Sequence, residues 1–203
     1  MQVSFGKRIP IYKCQVTDMA TGKNMPAVIS EYDCEDYEDI QEMTDLGYKW
    51  KFALCLSADM HSKLLYNRDP RFTKRNYPMH FYILHDEKED KYGCVNIFGI
   101  CETEENKDNT NIAFIESKYD KKHKYVGQTM IASIGKTLLK RNGHNIYILN
   151  PAYNAIPYYI NKCGFETVTN TSYSPLWMQT HQIPDFIKRT EEKTGASIID
   201  INA

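Results

Sequence analysis

The chain has 203 residues, 42% of them hydrophobic and 25% charged, which suits a single globular domain whose core needs no disulfide framework. Twenty-five basic residues against 26 acidic ones leave a net charge of −1, which argues against a DNA-binding domain, because phosphate contacts leave a basic excess. There is no membrane-length apolar run, no signal-peptide core in residues 1–14 and no Cys-x-x-Cys pair among the six cysteines, so a cytoplasmic chain with reduced thiols and no metal site is expected.

Residues 10–33 read as a hairpin, with extended runs at Ile11–Thr17 and Ala27–Tyr32 around a turn at Ala20–Asn24. Residues 31–46 carry eight carboxylates and no base, and Glu35–Met43 suits the acidic start of a helix. This acidic stretch is either a solvated face or an attraction for a cationic acceptor. Between 49 and 66 the later part predicts a helix beginning after Ser57 or Asp59, while the part around Trp50, Phe52 and Leu54 fits helix or strand. Residues 67–77, polar and basic with Pro70 and Pro78 as breakers, read as a loop.

Alternation over Met79–Leu84, a charged turn at Glu87–Tyr92 and a strand at Cys94–Cys101 predict an antiparallel hairpin over 79–102. After a polar turn at Glu104–Thr110, Asn111–Glu116 is a further strand. Gly127–Arg141 is the clearest helix, with Met130, Ile131, Ile134, Leu138 and Leu139 on one stripe and Gly143 where a left-handed cap is wanted. Asn145–Leu149 reads as a buried strand. Asn154 is placed to cap the next helix, which has Pro157 in its first turn and Gly164 at its end. Phe165–Thr169 and Leu176–Gln179 are strands, and the tail holds a helix at Asp185–Thr194 followed by Ser197–Ile201. The order gives an α/β or α+β fold, a mixed sheet with helices.

Between strand 111–116 and the helix at Gly127 lies the most basic short segment of the chain, with Lys118, Lys121, Lys122, His123 and Lys124 against Asp120. A helix N-terminus exposes unpaired N–H groups at the positive end of its dipole, and a glycine there admits a ligand close to the backbone. Lys124-Tyr125-Val126-Gly127-Gln128-Thr129 therefore reads as a candidate pyrophosphate cradle, the plain alternative being a solvated lysine loop. It is neither a Walker loop nor a three-glycine dinucleotide fingerprint.

On these residues the chain resembles the GNAT N-acetyltransferase superfamily. The family's CoA-binding pattern, Gln/Arg-x-x-Gly-x-Gly/Ala, is met by Lys124-x-x-Gly127-x-Thr129, with Lys124 in place of Gln/Arg and Thr129 in place of a small residue. Its second pattern is met by Ala155, Tyr158-Tyr159, Lys162 and Gly164-Phe165. The tyrosine pair lies one residue farther from Gly164 than the family places it, which predicts an insertion or bulge in that helix. The likeness covers about residues 79–178, the acyl-CoA-binding core of a single domain spanning 1–203. Residues 1–78 correspond by position to the variable acceptor-side region, and 179–203 form a C-terminal tail.

The resemblance implies a mostly antiparallel central sheet with splayed fourth and fifth strands, flanked by helices. It implies acetyl-CoA as acyl donor and no metal, with the pyrophosphate on the backbone of residues 124–129. The pantetheine would pair with the strand carrying Phe114 and Ile115, and Asn150 is a further candidate contact. Glu116 is the candidate base for the amine, and Tyr159, then Tyr158, the candidate acid for the leaving thiolate. The acceptor would be a primary amine of a small molecule or a protein lysine or N-terminus. No DNA or membrane partner is expected, and a homodimer is compatible with the family. Two other readings compete: a catalytically inactive binding or effector module of the same fold, and a cysteine hydrolase on Cys163, which lacks a local nucleophile signature.

Overall fold

The computed structural model describes residues 8–32, 39, 41, 79–88, 95–118, 122–169 and 174–202. The helices expected within 35–66, most of the acidic stretch and the loop at 67–77 lie outside the described residues.

The predicted first hairpin forms as β1 (Ile9–Asp18) and β2 (Asn24–Tyr32). Asp18 makes its turn by accepting the N–H groups of Ala20 (2.7 Å) and Thr21 (3.2 Å), while Gly22 takes the left-handed position at φ 68°. The second hairpin forms as β3 (Met79–Asp86) and β4 (Ile97–Glu105), and β5 (Asn109–Ser117) follows. The second strand of this hairpin lies farther along the chain than the apolar run at 94–101 suggests. The turn expected at Glu104–Thr110 contracts to Asn106–Asp108, because the Asn106 side chain accepts the N–H groups of Asp108 (2.9 Å) and Asn109 (2.7 Å). Glu105 can then stay buried in the strand because Arg141 pairs with it.

A two-residue strand, β6 (His123–Lys124), leads into α1 (Val126–Lys140). The cap of α1 differs from expectation. Asn142, at φ 57°, takes the left-handed position. Its N–H bonds the Leu139 carbonyl (3.0 Å) and the Gly143 N–H bonds that of Leu138 (2.9 Å), completing a Schellman motif. Gly143 is needed for space instead, since a Cβ there would collide with Leu138.

Strand β7 (Asn145–Ile148) follows. A 3₁₀ turn at Tyr153–Ala155, a single α-turn, α2 (Ile156–Tyr158), and a π-turn at Tyr159–Cys163 then run together. Asn154 does not cap this segment; it lies inside the 3₁₀ turn, and no side chain caps the start. The π-turn absorbs the surplus residue noted in the sequence, and Gly164 closes it at φ 84°. The short β8 (Glu166–Thr167) and β9 (Leu176–Gln179) precede α3 (Ile183–Thr194) and β10 (Ile199–Asp200).

Among the described residues the strands form one sheet in the order β10-β1-β2-β3-β4-β5-β7-β9-β8, with β6 also on β1. Every pairing is antiparallel except β5 with β7. The apolar stripe of α1 covers one face, burying Met130, Ile131 and Leu138 in a cluster with Leu84, Phe98, Ile112 and Ile146. Each such side chain contributes about 1.5–3 kcal/mol when fully buried. Helix α3 packs on α1 at Gly135, where a Cβ would stand 2.7 Å from Ile183.

Candidate active site

The site begins where two parallel strands part. β5 pairs with β7 only over Asn109–Asn111 and Asn145–Tyr147, yet β5 continues to Ser117 with β4 as its remaining partner. A bulge at Ala113, flanked by the pairs Thr103–Ile112 and Glu102–Phe114, bends β5 where the two strands separate. Beside the gap lies a cleft of about 330 Å³ lined by Ile115, Ser117, His123, Tyr125, Val126, Gly127, Tyr158 and Tyr159. The strand end, the cradle and the tyrosine pair, separate in sequence, thus share one cavity.

Tyr125 precedes α1 with φ 67° and ψ 6°, a left-handed conformation unusual for a bulky residue, and no side chain caps the helix. Its carbonyl accepts the Thr129 N–H (2.8 Å), so the intrahelical ladder begins there and the N–H groups of the first turn have no acceptor within the helix. Gly127 lies directly against Tyr158: a Cβ there would be 3.1 Å from the phenol oxygen. The Gln128 backbone N–H also faces that oxygen, while its side chain donates to the Lys162 carbonyl (2.8 Å).

The remaining predicted residues divide. Ile115 is on the cleft side of β5, whereas Phe114 and Glu116 alternate to the other face. Lys124 is exposed on β6, Asn150 is exposed beyond β7, and Thr129 is buried beneath the first turn; none of the three lines the cleft. Lys118 of the basic loop reaches back to Asn96 (2.8 Å). Sequence reasoning missed Ser117, which the two-residue strand period from Ile115 would have found. It also treated His123 only as loop charge; its ring packs on Phe98 with centroids 4.3 Å apart.

Tyr159 is buried, edge-on to Phe165 at 6.0 Å and to Tyr158 at 5.6 Å. Burial raises the pKa of both phenols, with Cys163 near each adding to the effect and the Gln128 N–H opposing it at Tyr158. Both are neutral O–H groups at physiological pH. Burial likewise pushes the Cys163 thiol up to about 12, against the lowering influence of Tyr158, Lys193 and Arg189. It is fully buried and carries almost no thiolate at neutral pH, which removes the basis for a cysteine nucleophile.

No protein-family model and no curated protein matches the sequence. Solved structures do. A tyrosine-to-phenylalanine mutant of the AtaT toxin, bound to the C-terminus of the antitoxin AtaR, is 14% identical, with 78% of this chain and 94% of that chain covered at a TM-score of 0.50. Tetrahymena GCN5 is 12% identical over 72% of this chain and 91% of that chain, at 0.49. The PaiA N-acetyltransferase from Thermoplasma acidophilum, in complex with coenzyme A, is 17% identical over 76% and 99%, at 0.48. The likeness to AtaT is one of fold: this chain has the fold of the GNAT acetyltransferases.

Proposed function

We propose that the chain is an acyl-CoA-dependent N-acyltransferase, moving an acetyl group from acetyl-CoA to a primary amine of a small molecule or protein by direct transfer in a ternary complex. The observation that carries this is the parting of β5 from β7 beside the open N-terminus of α1, with both tyrosines on the wall between them. A pyrophosphate suits the N–H groups of Val126 and Gly127, at the positive end of a fifteen-residue helix. Past Asn111, β5 has a ladder edge that β7 does not occupy, and this edge matches the amides of a pantetheine arm.

A thioester at the inner end of that arm meets Tyr159. The amine enters as an ammonium of ordinary pKa about 10.4 and must lose a proton before it attacks. Glu116, on the face of β5 away from the cleft, is the proposed base and takes that proton through water. The amine nitrogen then bonds the thioester carbonyl carbon, the C–S bond breaks, and the thiolate takes the phenolic proton of Tyr159. The nitrogen gives up its second proton as the amide forms, which restores the phenol, and Glu116 returns the first proton to water. Desolvation raises the affinity of a thiolate for a proton as it does that of a phenolate, so Tyr159 remains a usable donor in the closed cleft.

Calorimetric titration with acetyl-CoA, using desulfo-CoA and ATP as controls, tests the assignment. Saturable binding of acetyl-CoA, with ATP much weaker, is expected, and turnover on an amine panel separates a transferase from an inactive module. Gly127→Glu, which drives a carboxylate into the cradle and against Tyr158, abolishes that binding. Absence of acetyl-CoA binding by the unmodified protein at millimolar concentration would refute the proposal.

A further inference from the structure

We infer that Tyr158 is a ligand-binding residue of the cradle, its hydroxyl donating a hydrogen bond to a phosphate oxygen of the pyrophosphate instead of serving the leaving thiolate. This rests on the acyl-CoA reading above and goes beyond it by separating the roles of two adjacent tyrosines.

The phenol oxygen lies beside Gly127, 3.1 Å from where a Cβ would stand, and faces the backbone N–H of Gln128. The hydroxyl thus stands beside the Gly127 N–H, one of the groups that would hold the phosphate, and takes the Gln128 N–H for itself. The Gln128 side chain, bonded to the Lys162 carbonyl at 2.8 Å, ties the helical segment carrying Tyr158 to the first turn of α1. The hydroxyl is therefore held near the helix N-terminus by a link that does not involve the phenol.

Tyr158 forms a wall of the cleft together with Tyr125, Val126 and Gly127, so the cavity exists with the phenol in place. With a lone pair turned to the Gln128 N–H, the O–H is left to donate. In the free protein it has the Cys163 thiol beside it, which is a weak acceptor. A phosphate oxygen is a far stronger one, and a neutral phenol beside an anion is a charge-assisted donor.

Tyr159 has a different environment. It is buried edge-on to Phe165, deeper in the core than the half-exposed Tyr158. Successive residues of a helical segment point about 100° apart, so one tyrosine reaches the helix N-terminus while its neighbour faces the parted strands.

Isothermal titration of the unmodified protein and of Tyr158→Phe, with CoA and with pantetheine as probes, tests the inference. The variant is expected to bind CoA about ten- to hundredfold more weakly, as for a lost hydrogen bond to a charged group, with pantetheine affinity unchanged. Equal weakening of both probes would show a structural role and overturn the inference, as would unchanged CoA affinity. If the unmodified protein binds neither probe, the acyl-CoA reading falls and takes this one with it. If it binds CoA and Tyr158→Phe matches it, only the tyrosine assignment falls. Gly127→Ala tests the same contact should Tyr158→Phe fail to fold. Its methyl group pushes the hydroxyl aside, so it is expected to weaken CoA and leave pantetheine unchanged; equal weakening of both probes, or unchanged CoA affinity, would contradict the contact.

Discussion

At the scale of single residues, the conformational burden of the cradle falls on Tyr125. Its left-handed backbone costs a non-glycine residue about 1–2 kcal/mol, and it is spent at a cleft wall, where strain is most often retained. Tyr125→Gly is expected to raise unfolding stability by roughly 0.5–1 kcal/mol, less than the relieved strain because glycine gains freedom in the unfolded chain. Denaturant unfolding measures this, and a loss of stability would show that ring packing outweighs the strain. Glycine was legible in the sequence as a sign of special backbone, but its kind was not. At Gly127 and Gly143 the missing side chain makes room for Tyr158 and Leu138, while the positive φ falls on Tyr125 and Asn142. A sequence marks where a Cβ is unwelcome without saying whether a dihedral or a neighbour excludes it.

At the scale of elements, a polar cluster joins β2, β3, β4 and the end of α1 at the sheet end where β5 and β7 remain paired. His80 on β3 meets Glu31 of β2 through Nδ1 and lies 3.7 Å from Glu105 of β4 through Nε2, and Glu105 also pairs with Arg141 after α1. Arg141 further donates to Asn109 (3.0 Å) and Thr110 (2.5 Å) of β5. Burial alone would depress the His80 pKa; the bond to Glu31 and the charges of Glu31 and Glu105 outweigh both burial and the opposing Arg141, and raise it. Protonated His80 therefore adds stability that is fully present below the ordinary histidine pKa of about 6.5 and is lost as pH rises through the higher folded value. Unfolding curves collected across that range are expected to show this decline, and His80→Gln to flatten it; an unaltered profile would remove His80 as its source. The sequence revealed the strands of this cluster through their alternation but not the cluster itself, since ion pairs between distant strands leave no periodicity. The inserted residue of the tyrosine segment was legible as a spacing mismatch, and only the backbone shows it as a π-turn.

At the scale of the molecule, the succession of the described strands and helices was legible because most carry their own period or breaker, whereas the parting of the central strands was expected only from the family resemblance. The ordering of the sheet edge was not, because β10 and β6 are each two residues long and gain their place from pairing alone. The chain returns after α3 to set β10 on β1, where the Ile201 N–H bonds the Ile11 carbonyl (2.9 Å). Lys136 of α1 fastens that return by bonding Glu191 (2.8 Å) and the Ile198 carbonyl. The outer edge of β1 is thereby held by β10 at Tyr12 and Lys13 and by β6 at Thr17 and Asp18. β6 runs directly into the cradle, and the Met19 N–H bonds the Lys122 carbonyl just before it (2.7 Å). A ligand that immobilises residues 124–128 would also hold this junction shut, so filling the cleft should slow deuterium uptake at Met19, in the first hairpin of the chain. Equal uptake with and without saturating CoA would mean that the junction is already closed in the empty protein; slowed uptake would make that amide a label-free gauge of occupancy at the far end of the loop.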